Sequence, residues 1–377
     1  MSQKKVLRMR PGTKKATKII VSIIVILILV FGFYFYRKIK LENIGYSPLA
    51  SRNIIFKFKY DYALNNPNNK TLNSAFESKD FKEKNLDKYK EIKYQKHEHL
   101  IENINNLLKK GYTSREISMI LAHGSDEDII EFAKKDKVKY LEEFYSYPFA
   151  KIKYYDRYFK YMNEEGEDEE TTIVMINLNM DKEEYTNCEK VDGNKIDTLV
   201  NKRFCVDKDF VPKNLITVKK EYTINGDEKT KARKEAIDAA IEMIKAAEKD
   251  GQKILINSGY RSYQDQQEVY DTYFKLYGEN YVKKYVVNPG YSEHQTGLAF
   301  DFASGSKNIF KESTEYEWMI KNSYKYGFCY RYLKKKENIT GIKNEPWHFR
   351  YVGKKIASIM DKEDLSLEEY YAKYGDK

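Results

Sequence analysis

An 18-residue run without a charged side chain near the N-terminus constrains this chain more than any other feature. Residues 19–36 read IIVSIIVILILVFGFYFY, which is long enough for an α-helix to cross the hydrocarbon core of a membrane, if slightly short. A cleaved signal peptide would have a shorter apolar region followed by a small-residue cleavage site, but RKIKLENIGY follows here. The run therefore predicts an uncleaved transmembrane signal anchor over residues 19–36.

The distribution of charge orients this anchor and argues against a nucleic-acid-binding protein. Residues 1–18 contain seven Lys or Arg and no acidic residue, which predicts a cytoplasmic basic tail and an extracytoplasmic position for the rest of the chain. The net charge of +10 arises within residues 1–40, which hold ten Lys or Arg, because the remaining residues carry 57 charges of each sign. We therefore expect anionic lipid to be the partner of the basic segment, and no nucleic acid.

The region between the anchor and residue 190 is predicted to be a spacer followed by a helical subdomain. Residues 37–94 are assigned to the spacer, since residues 47–85 are polar and irregular, with NNPNNK at 65–70. Residues 95–190 are assigned to a mainly helical N-terminal subdomain. Within it, TTIVMINLNM at residues 171–180 is rich in β-branched residues and is interpreted as a strand.

Three short amphipathic helices are predicted inside this subdomain. The first ends at Gly111, and the two others begin at capping boxes formed by Thr113 with Glu116 and by Ser125 with Asp128. Such a cluster could be a DNA-reading helix-turn-helix, but the expected extracytoplasmic position and the mixed local charge argue against that. A packing or substrate-groove subdomain is the better interpretation.

Residues 191–377 are assigned to a second, mixed domain. Residues 229–250 predict an amphipathic helix that ends at Gly251, residues 253–259 predict a short buried strand, and residues 261–278 predict another helix. Three cysteines are too few for a disulfide framework. Cys188 and Cys205 could pair across a short loop in an oxidising compartment, or both could be free small apolar residues.

The segment SEHQTGLAFD at residues 292–301 carries a histidine and an aspartate at the start of an apolar strand. The two-residue period places Leu298, Phe300 and Phe302 on one face and leaves Asp301 on the other between small residues, while Gly297 allows the chain to fold His294 back toward it. A buried carboxylate needs a cation, which could be a Lys or Arg side chain or a metal ion.

A third candidate ligand lies in NEPWHFRYVG at residues 344–353. His348 supplies a second imidazole, and Pro346 keeps Glu345 extended, so this is not a helical metal motif. Two histidines and one carboxylate leave a fourth tetrahedral position open, which is typical of a catalytic zinc site. Glu345 could then serve as a general base, and Arg261 in SGYRS could stabilise an oxyanion.

Taken together, these segments resemble the VanY-type D-alanyl-D-alanine carboxypeptidases and their L,D-carboxypeptidase relatives. The resemblance covers residues 199–370 and rests on LVNK, FVPKNL, SGYRSYQDQ, NPGYSEHQTGLAFD, YGFCYRY, TGIKNEPWHFRYVG and LSLEEY, which occur in the family's order. The pair SxHxxGxAxD and ExWH is its most specific part. Cys205, where the family usually has leucine, and Leu333, where proline is common, depart from the pattern without touching the proposed chemistry.

The resemblance implies a fold, a cofactor and roles for individual residues. It implies an α+β fold with a small antiparallel sheet flanked by helices, of the D,D-peptidase/hedgehog type. It also implies Zn²⁺, with these site residues: His294, Asp301 and His348 as ligands, Glu345 as catalytic base, Arg261 for substrate and transition state, and Gln266 and Ser292 near the C-terminal residue of the peptide.

The function expected from sequence is therefore that of a membrane-anchored zinc carboxypeptidase facing the cell wall. Its partner would be a peptidoglycan stem peptide ending in D-alanine, with D,D and L,D preference left open. Two alternatives stay open: a peptidoglycan endopeptidase, and a non-catalytic wall-binding or sensor protein that kept the metal site. Because a binding module needs neither Glu345 nor Arg261, the second alternative is the weaker one.

Overall fold

The computed structural model describes residues 11–182, 185, 188–306 and 309–375, and residues 1–10 of the basic tail lie outside it. The described chain separates into two units. The N-terminal unit runs to Ser146 and includes Lys151–Lys153, and the C-terminal unit comprises Tyr147–Ala150 and the chain from Tyr154 onward.

Within the described residues, the N-terminal unit contains helices and no strands. Its helices are α1 (Pro11–Asn43), α2 (Pro48–Phe56), α3 (Tyr60–Leu64), α4 (Lys70–Glu77), α5 (Leu86–Glu91), α6 (Leu100–Lys109), α7 (Ser114–Ala122), α8 (Asp126–Phe132) and α9 (Leu141–Tyr145).

The C-terminal unit combines helices with short strands. Its helices are α10 (Tyr155–Glu165), α11 (Glu169–Asn177), α12 (Lys234–Lys249), α13 (Tyr263–Tyr277), α14 (Glu279–Tyr285), α15 (Thr314–Asn322), α16 (Glu337–Thr340), α17 (Lys354–Glu363) and α18 (Leu367–Tyr374). Its strands are β1 (Glu189–Lys190), β2 (Phe204–Cys205), β3 (Leu215–Thr217), β4 (Lys231–Arg233), β5 (Ile254–Ser258), β6 (Ala299–Ser304), β7 (Phe328–Tyr330) and β8 (His348–Tyr351).

Helix α1 contains the predicted anchor and extends well beyond it. Its segment Lys15–Asn43 has a mean hydropathy of 2.9 in its most apolar window, and none of that window is buried. By length and composition this helix can cross a membrane.

Two sequence predictions of local structure are wrong. Residues 47–85, expected to be irregular, form α2, α3 and α4, each with buried apolar residues. Residues 171–177, expected to be a strand, belong to α11, where the Asp168 carboxylate accepts a hydrogen bond from the Thr171 amide and caps the helix. Residues 171–176 are all buried, so tertiary packing outweighs the β propensity of their side chains.

The predicted caps of α7 and α8 are confirmed. Thr113 with Glu116 and Ser125 with Asp128 form reciprocal capping boxes at the starts of the two helices.

A disulfide closes a loop of the C-terminal unit. It joins Cys188 and Cys205 beside the parallel β1–β2 pair. Cys329 is a free, buried thiol.

The core of the C-terminal unit lies between α12 and a four-stranded sheet. The sheet has the order β5-β6-β8-β7 and every pair is antiparallel, which confirms the predicted α+β fold with a small antiparallel sheet. One face of this sheet packs against Ala236, Ala240 and Met243 of α12. The apolar side chains on that face of the sheet include Phe300, Phe302, Phe328 and Phe349. Because strand side chains alternate, the opposite face is free to carry polar groups.

Candidate active site

Asp301 and His348 are brought together by the register of the sheet. They are direct cross-strand partners on β6 and β8, so their side chains project from the same face, opposite the phenylalanine core. Asp301 Oδ1 lies 3.2 Å from His348 Nδ1. The predicted alternation is confirmed, since Leu298, Phe300 and Phe302 are fully buried on the other face.

His294 reaches the same point from a short 3₁₀ turn that ends at Gly297. Gly297 has φ +67°, and an added Cβ would lie 3.1 Å from Arg233 and Leu215 side-chain atoms, so both conformation and space favour glycine. The turn reverses the chain, and His294 Nε2 lies 3.5 Å from Asp301 Oδ1.

These three residues fit a tetrahedral metal ion. Their ligand atoms lie within 4.8 Å of one another and all three residues are buried. The separations of 3.5 and 3.2 Å from Asp301 Oδ1 compare with about 3.4 Å between two ligands bound at 2.0–2.1 Å to tetrahedral zinc. Asp301 Oδ1 is also buried and accepts no well-aligned hydrogen bond in the described structure, although one imidazole nitrogen of each histidine faces it. A bound cation would satisfy it.

In each imidazole, the nitrogen that points away from Asp301 is hydrogen-bonded, which leaves the nitrogen facing Asp301 available to a metal ion. His294 Nδ1 donates to the carbonyl of Gly259 at 2.6 Å, and His348 Nε2 donates to the carboxylate of Glu293 at 3.1 Å. With these nitrogens protonated, His294 Nε2 and His348 Nδ1 present lone pairs toward Asp301. The rings are therefore held in the tautomers that a metal requires.

The pKa values of the site reflect the attraction between its carboxylates and its imidazoles, which burial opposes. Burial opposes ionisation of Asp301, but the two histidine rings outweigh it and hold the pKa of that carboxyl well below its usual range. Burial lowers the pKa of His294. Burial also disfavours the charged form of His348, yet Asp301 and Glu293 raise its pKa to about 9. Without a metal, a proton on His348 balances the two carboxylates.

Glu345 lies at the edge of this cluster, beside His348. Its Oε2 is 3.8 Å from His348 Nδ1, and its side chain is 17% exposed. Burial raises the pKa of the Glu345 carboxyl to about 7, an effect to which the charge of Asp301 adds. A carboxyl with this pKa can both accept and release a proton near neutral pH.

Arg261, Gln266 and Ser292 line the same cavity of about 490 Å³ as Glu345 and the three ligand candidates. Arg261 Nη1 donates to Gln266 Oε1 at 2.7 Å, and the Gln266 amide donates to the carbonyl of Val287 at 2.8 Å, so the guanidinium is held in place. Ser292 Oγ accepts from the His294 amide at 3.3 Å. The structure thus brings all seven sequence-predicted site residues into one cavity.

Comparison with known proteins identifies the family. The sequence profile of VanY, described as D-alanyl-D-alanine carboxypeptidase, matches residues 229–354. The protein YodJ of Bacillus subtilis (strain 168) is 40% identical over 209 residues, which are 52% of this chain and 77% of YodJ. This chain belongs to the VanY family.

Two further relatives are similar to about half of this chain. A D-alanyl-D-alanine carboxypeptidase of Enterococcus faecium is 34% identical over 178 residues, which are 46% of this chain and 56% of the enterococcal protein. The solved structure of the L,D-carboxypeptidase LdcB is 40% identical, covers 51% of this chain and 92% of its own, and superposes with a TM-score of 0.47.

A buried charge network behind the VanY-type motif was not found by sequence reasoning. Glu293 accepts hydrogen bonds from Arg331 Nε at 2.8 Å and from Arg350 Nη1 at 3.2 Å, while its other oxygen accepts from His348. Arg331 in turn donates to both oxygens of Glu368 on α18. These four charged side chains are fully buried, so each requires the others.

This network fixes the protonation and orientation of His348 through charged side chains from distant segments of the chain. Burial opposes the ionisation of Glu293, but Arg331 and Arg350 outweigh it and hold the pKa of its carboxyl far below the usual range. Glu293 therefore stays anionic and keeps the Nε2 proton on His348. A sequence signal for Glu293 did exist, since it directly precedes His294, but its partners lie 38 and 57 residues further along the chain.

Proposed function

We propose that this chain is a zinc carboxypeptidase that removes the terminal D-alanine from peptidoglycan stem peptides or their precursors. The observation that carries the proposal is the buried Asp301 Oδ1, which accepts no well-aligned hydrogen bond and faces one nitrogen of each of two histidines whose other ring nitrogens are already hydrogen-bonded. A donor set of two imidazoles and one carboxylate, with space on its open side, is that of a catalytic zinc site.

Zinc held by His294, Asp301 and His348 would supply Lewis acidity toward the scissile carbonyl and acidify water at the site. The chain itself supplies the proton transfers. Glu345 accepts a proton from the attacking water on its carboxylate, and the same carboxyl then donates that proton to the nitrogen of the departing D-alanine. In the metal-free protein burial raises the pKa of this carboxyl to about 7, which favours the uptake of the proton.

Arg261 is assigned to the substrate. Its guanidinium lines the cavity, is oriented by Gln266 and remains 4.0 Å from Asp301 Oδ2, so it can offer donors to an anion. The free carboxylate of a C-terminal D-alanine and the oxyanion that develops at the scissile carbonyl are the two anions of this reaction. Gln266 and Ser292 are proposed to lie near that terminal residue.

The same proposal places the enzyme at the outer face of a membrane. Helix α1 is long and apolar enough to cross, and the seven basic residues in residues 1–18 favour a cytoplasmic N-terminus. The C-terminal unit would then face the cell wall, where its substrate is found. The disulfide between Cys188 and Cys205 agrees with an oxidising compartment.

The test separates an enzyme from a binding protein. Full-length protein in detergent is loaded with zinc, and hydrolysis and binding of a pentapeptide ending in D-alanyl-D-alanine are measured for wild type and for Glu345→Gln. We expect Glu345→Gln to bind zinc and peptide but to lose hydrolysis by at least about a hundredfold. Glu248→Gln, an exposed substitution on α12, is the control. Peptide binding without hydrolysis by the wild-type protein would refute the proposal in favour of a wall-binding protein.

A further inference from the structure

The N-terminal unit contains a helix that turns back toward the apolar end of α1. After α1 ends at Asn43, the chain turns and Ser47 caps α2, which runs from Pro48 to Phe56. The Phe56 and Tyr34 rings lie 6.1 Å apart. Nine residues of helix span about 13 Å, so α2 descends along α1 by the same distance that α1 rises between Tyr34 and Asn43.

The contact with Tyr34 sets the depth of this hairpin relative to the apolar run. Tyr34 lies within residues 19–36, which carry no charge, and is followed by Phe35 and Tyr36. Aromatic residues at the end of a membrane span mark the interface between lipid and water. The C-terminal end of α2 therefore lies level with the interfacial turn of α1.

The last residue of α2 and the turn that follows it, residues 56–59 and here called the 56–59 loop, have an unusual phenylalanine at the tip. Phe58 is 92% exposed and Phe56 is 67% exposed. Phe58 also has φ +56°, a left-handed conformation that favours glycine or asparagine at a helix end. Its amide donates to the Ile55 carbonyl and the Lys59 amide to that of Ile54, so the backbone turn is fully formed. In water this side chain gains no burial from its position.

Cationic side chains lie close to the loop, and two of them also contact the protein: Lys59 pairs with Glu83, and the Lys57 ammonium lies over the Phe81 ring at 4.7 Å. The Arg37 guanidinium lies over the Phe33 ring at 4.3 Å and the Tyr60 ring at 4.5 Å, which joins α1 to the start of α3. Lys57 and Arg52 are exposed beside the loop. Long cationic side chains can keep their charge at phosphate level while their stems and neighbouring aromatic rings enter the lipid.

We propose that the 56–59 loop is a membrane-interface wedge, with Phe56 and Phe58 inserted into the phospholipid headgroup and acyl-chain boundary beside α1. The wedge rests on the proposed membrane crossing by α1. It binds a lipid surface, and it fixes the N-terminal unit against the bilayer instead of leaving it suspended on a single helix. The protein thus contacts the membrane at two points of its chain.

The test measures depth in the bilayer with nitroxide labels on the full-length protein in phospholipid nanodiscs. Single cysteines replace Phe58, Ile24 in the middle of the apolar run, and Glu127 on α8 as an exposed control. The native cysteines do not compete for label under non-reducing conditions, since Cys188 and Cys205 are bonded and Cys329 is buried. Accessibility to oxygen and to a water-soluble nickel chelate is measured by electron paramagnetic resonance.

We expect the label at Ile24 to be deep, the label at Glu127 to be aqueous, and the label at Phe58 to be at least about fivefold more accessible to oxygen than to the nickel chelate, relative to Glu127. A deep label at Ile24 with an aqueous label at Phe58 overturns the wedge and leaves the anchor intact. An aqueous label at Ile24 shows that α1 does not cross the bilayer, which refutes the anchor and the wedge with it.

Discussion

Replacing Glu345 by glutamine should stabilise the metal-free protein relative to wild type, by an amount that grows as the pH rises from about 4.5 to about 7. Burial raises the pKa of this carboxyl from its ordinary 4.5 to about 7. Because the pKa is raised in the folded state, the stabilising contribution of the protonated form is complete below about pH 4.5 and is lost as the pH rises through 7. Glutamine is neutral throughout and loses nothing.

The difference between the two pKa values sets the size of the effect. A rise from 4.5 to about 7 corresponds to about 3 kcal/mol of folding free energy at pH 8, since a tenfold change in an ionisation equilibrium is worth roughly 1.4 kcal/mol. A small part of this free energy is already lost at pH 5. We therefore expect the stability difference between Glu345→Gln and wild type to grow by about 2–3 kcal/mol, in favour of the variant, from pH 5 to pH 8. Zinc should reduce the gain, since a nearby cation favours the ionised carboxylate of the wild-type protein.

The assay is urea unfolding of the full chain in detergent and a metal chelator at the two pH values. Both tryptophans, Trp318 and Trp347, belong to the C-terminal unit, so their fluorescence reports the unit that contains the site. Glu248→Gln on α12 is the exposed control, and its difference in stability from wild type should be the same at both pH values. A difference between Glu345→Gln and wild type that is the same at pH 5 and pH 8 would refute the claim that Glu345 is held in a desolvated position.

Three further predictions follow from the site and its surroundings. Glu293→Gln should weaken zinc binding by about 10- to 100-fold, because it removes the anionic acceptor that orients His348 and leaves the charges of Arg331 and Arg350 only partly neutralised. Competition with a chelator measures the zinc affinity, and an unchanged affinity would contradict this prediction. The apparent zinc affinity of the wild type should rise about tenfold per pH unit between pH 6 and 8, because the pKa of His348 is raised to about 9 and its proton must leave; a flat titration by calorimetry would show otherwise. Replacing both Cys188 and Cys205 by serine should lower the free energy of unfolding of the C-terminal unit by about 3 kcal/mol, as expected for a disulfide between residues 17 positions apart. Urea unfolding should show a lower midpoint, and an unchanged midpoint would contradict this.

The candidate site could be predicted from sequence to the extent that its geometry is local. The spacing of His294, Gly297 and Asp301 encodes a turn followed by one face of a strand, and both features are found. That His348 lies directly opposite Asp301 depends on the register between β6 and β8, which are separated by more than 40 residues. The family resemblance, and not the residue pattern alone, supplied that pairing.

The parts that sequence did not predict depend on tertiary packing. Glu293 reads as an ordinary acidic residue until Arg331, Arg350 and Glu368 are brought around it from three other segments. The β-branched residues of α11 were predicted to form a strand, but burial on every side removes the periodicity by which a helix is distinguished. Helices α2, α3 and α4 are only nine, five and eight residues long, so the helical period repeats too few times in the polar residues 47–85 to distinguish these helices from a loop.

The central claim is that the cavity containing Asp301 and Glu345 hydrolyses the terminal D-alanine of a stem peptide. The most direct test incubates zinc-loaded full-length protein with muropentapeptide and murotetrapeptide and follows the products by mass spectrometry. We predict the loss of a single alanine, abolished by a chelator and by Glu345→Ala; loss from the pentapeptide identifies D,D activity and loss from the tetrapeptide identifies L,D activity. If zinc is bound and neither peptide loses alanine, the account is contradicted.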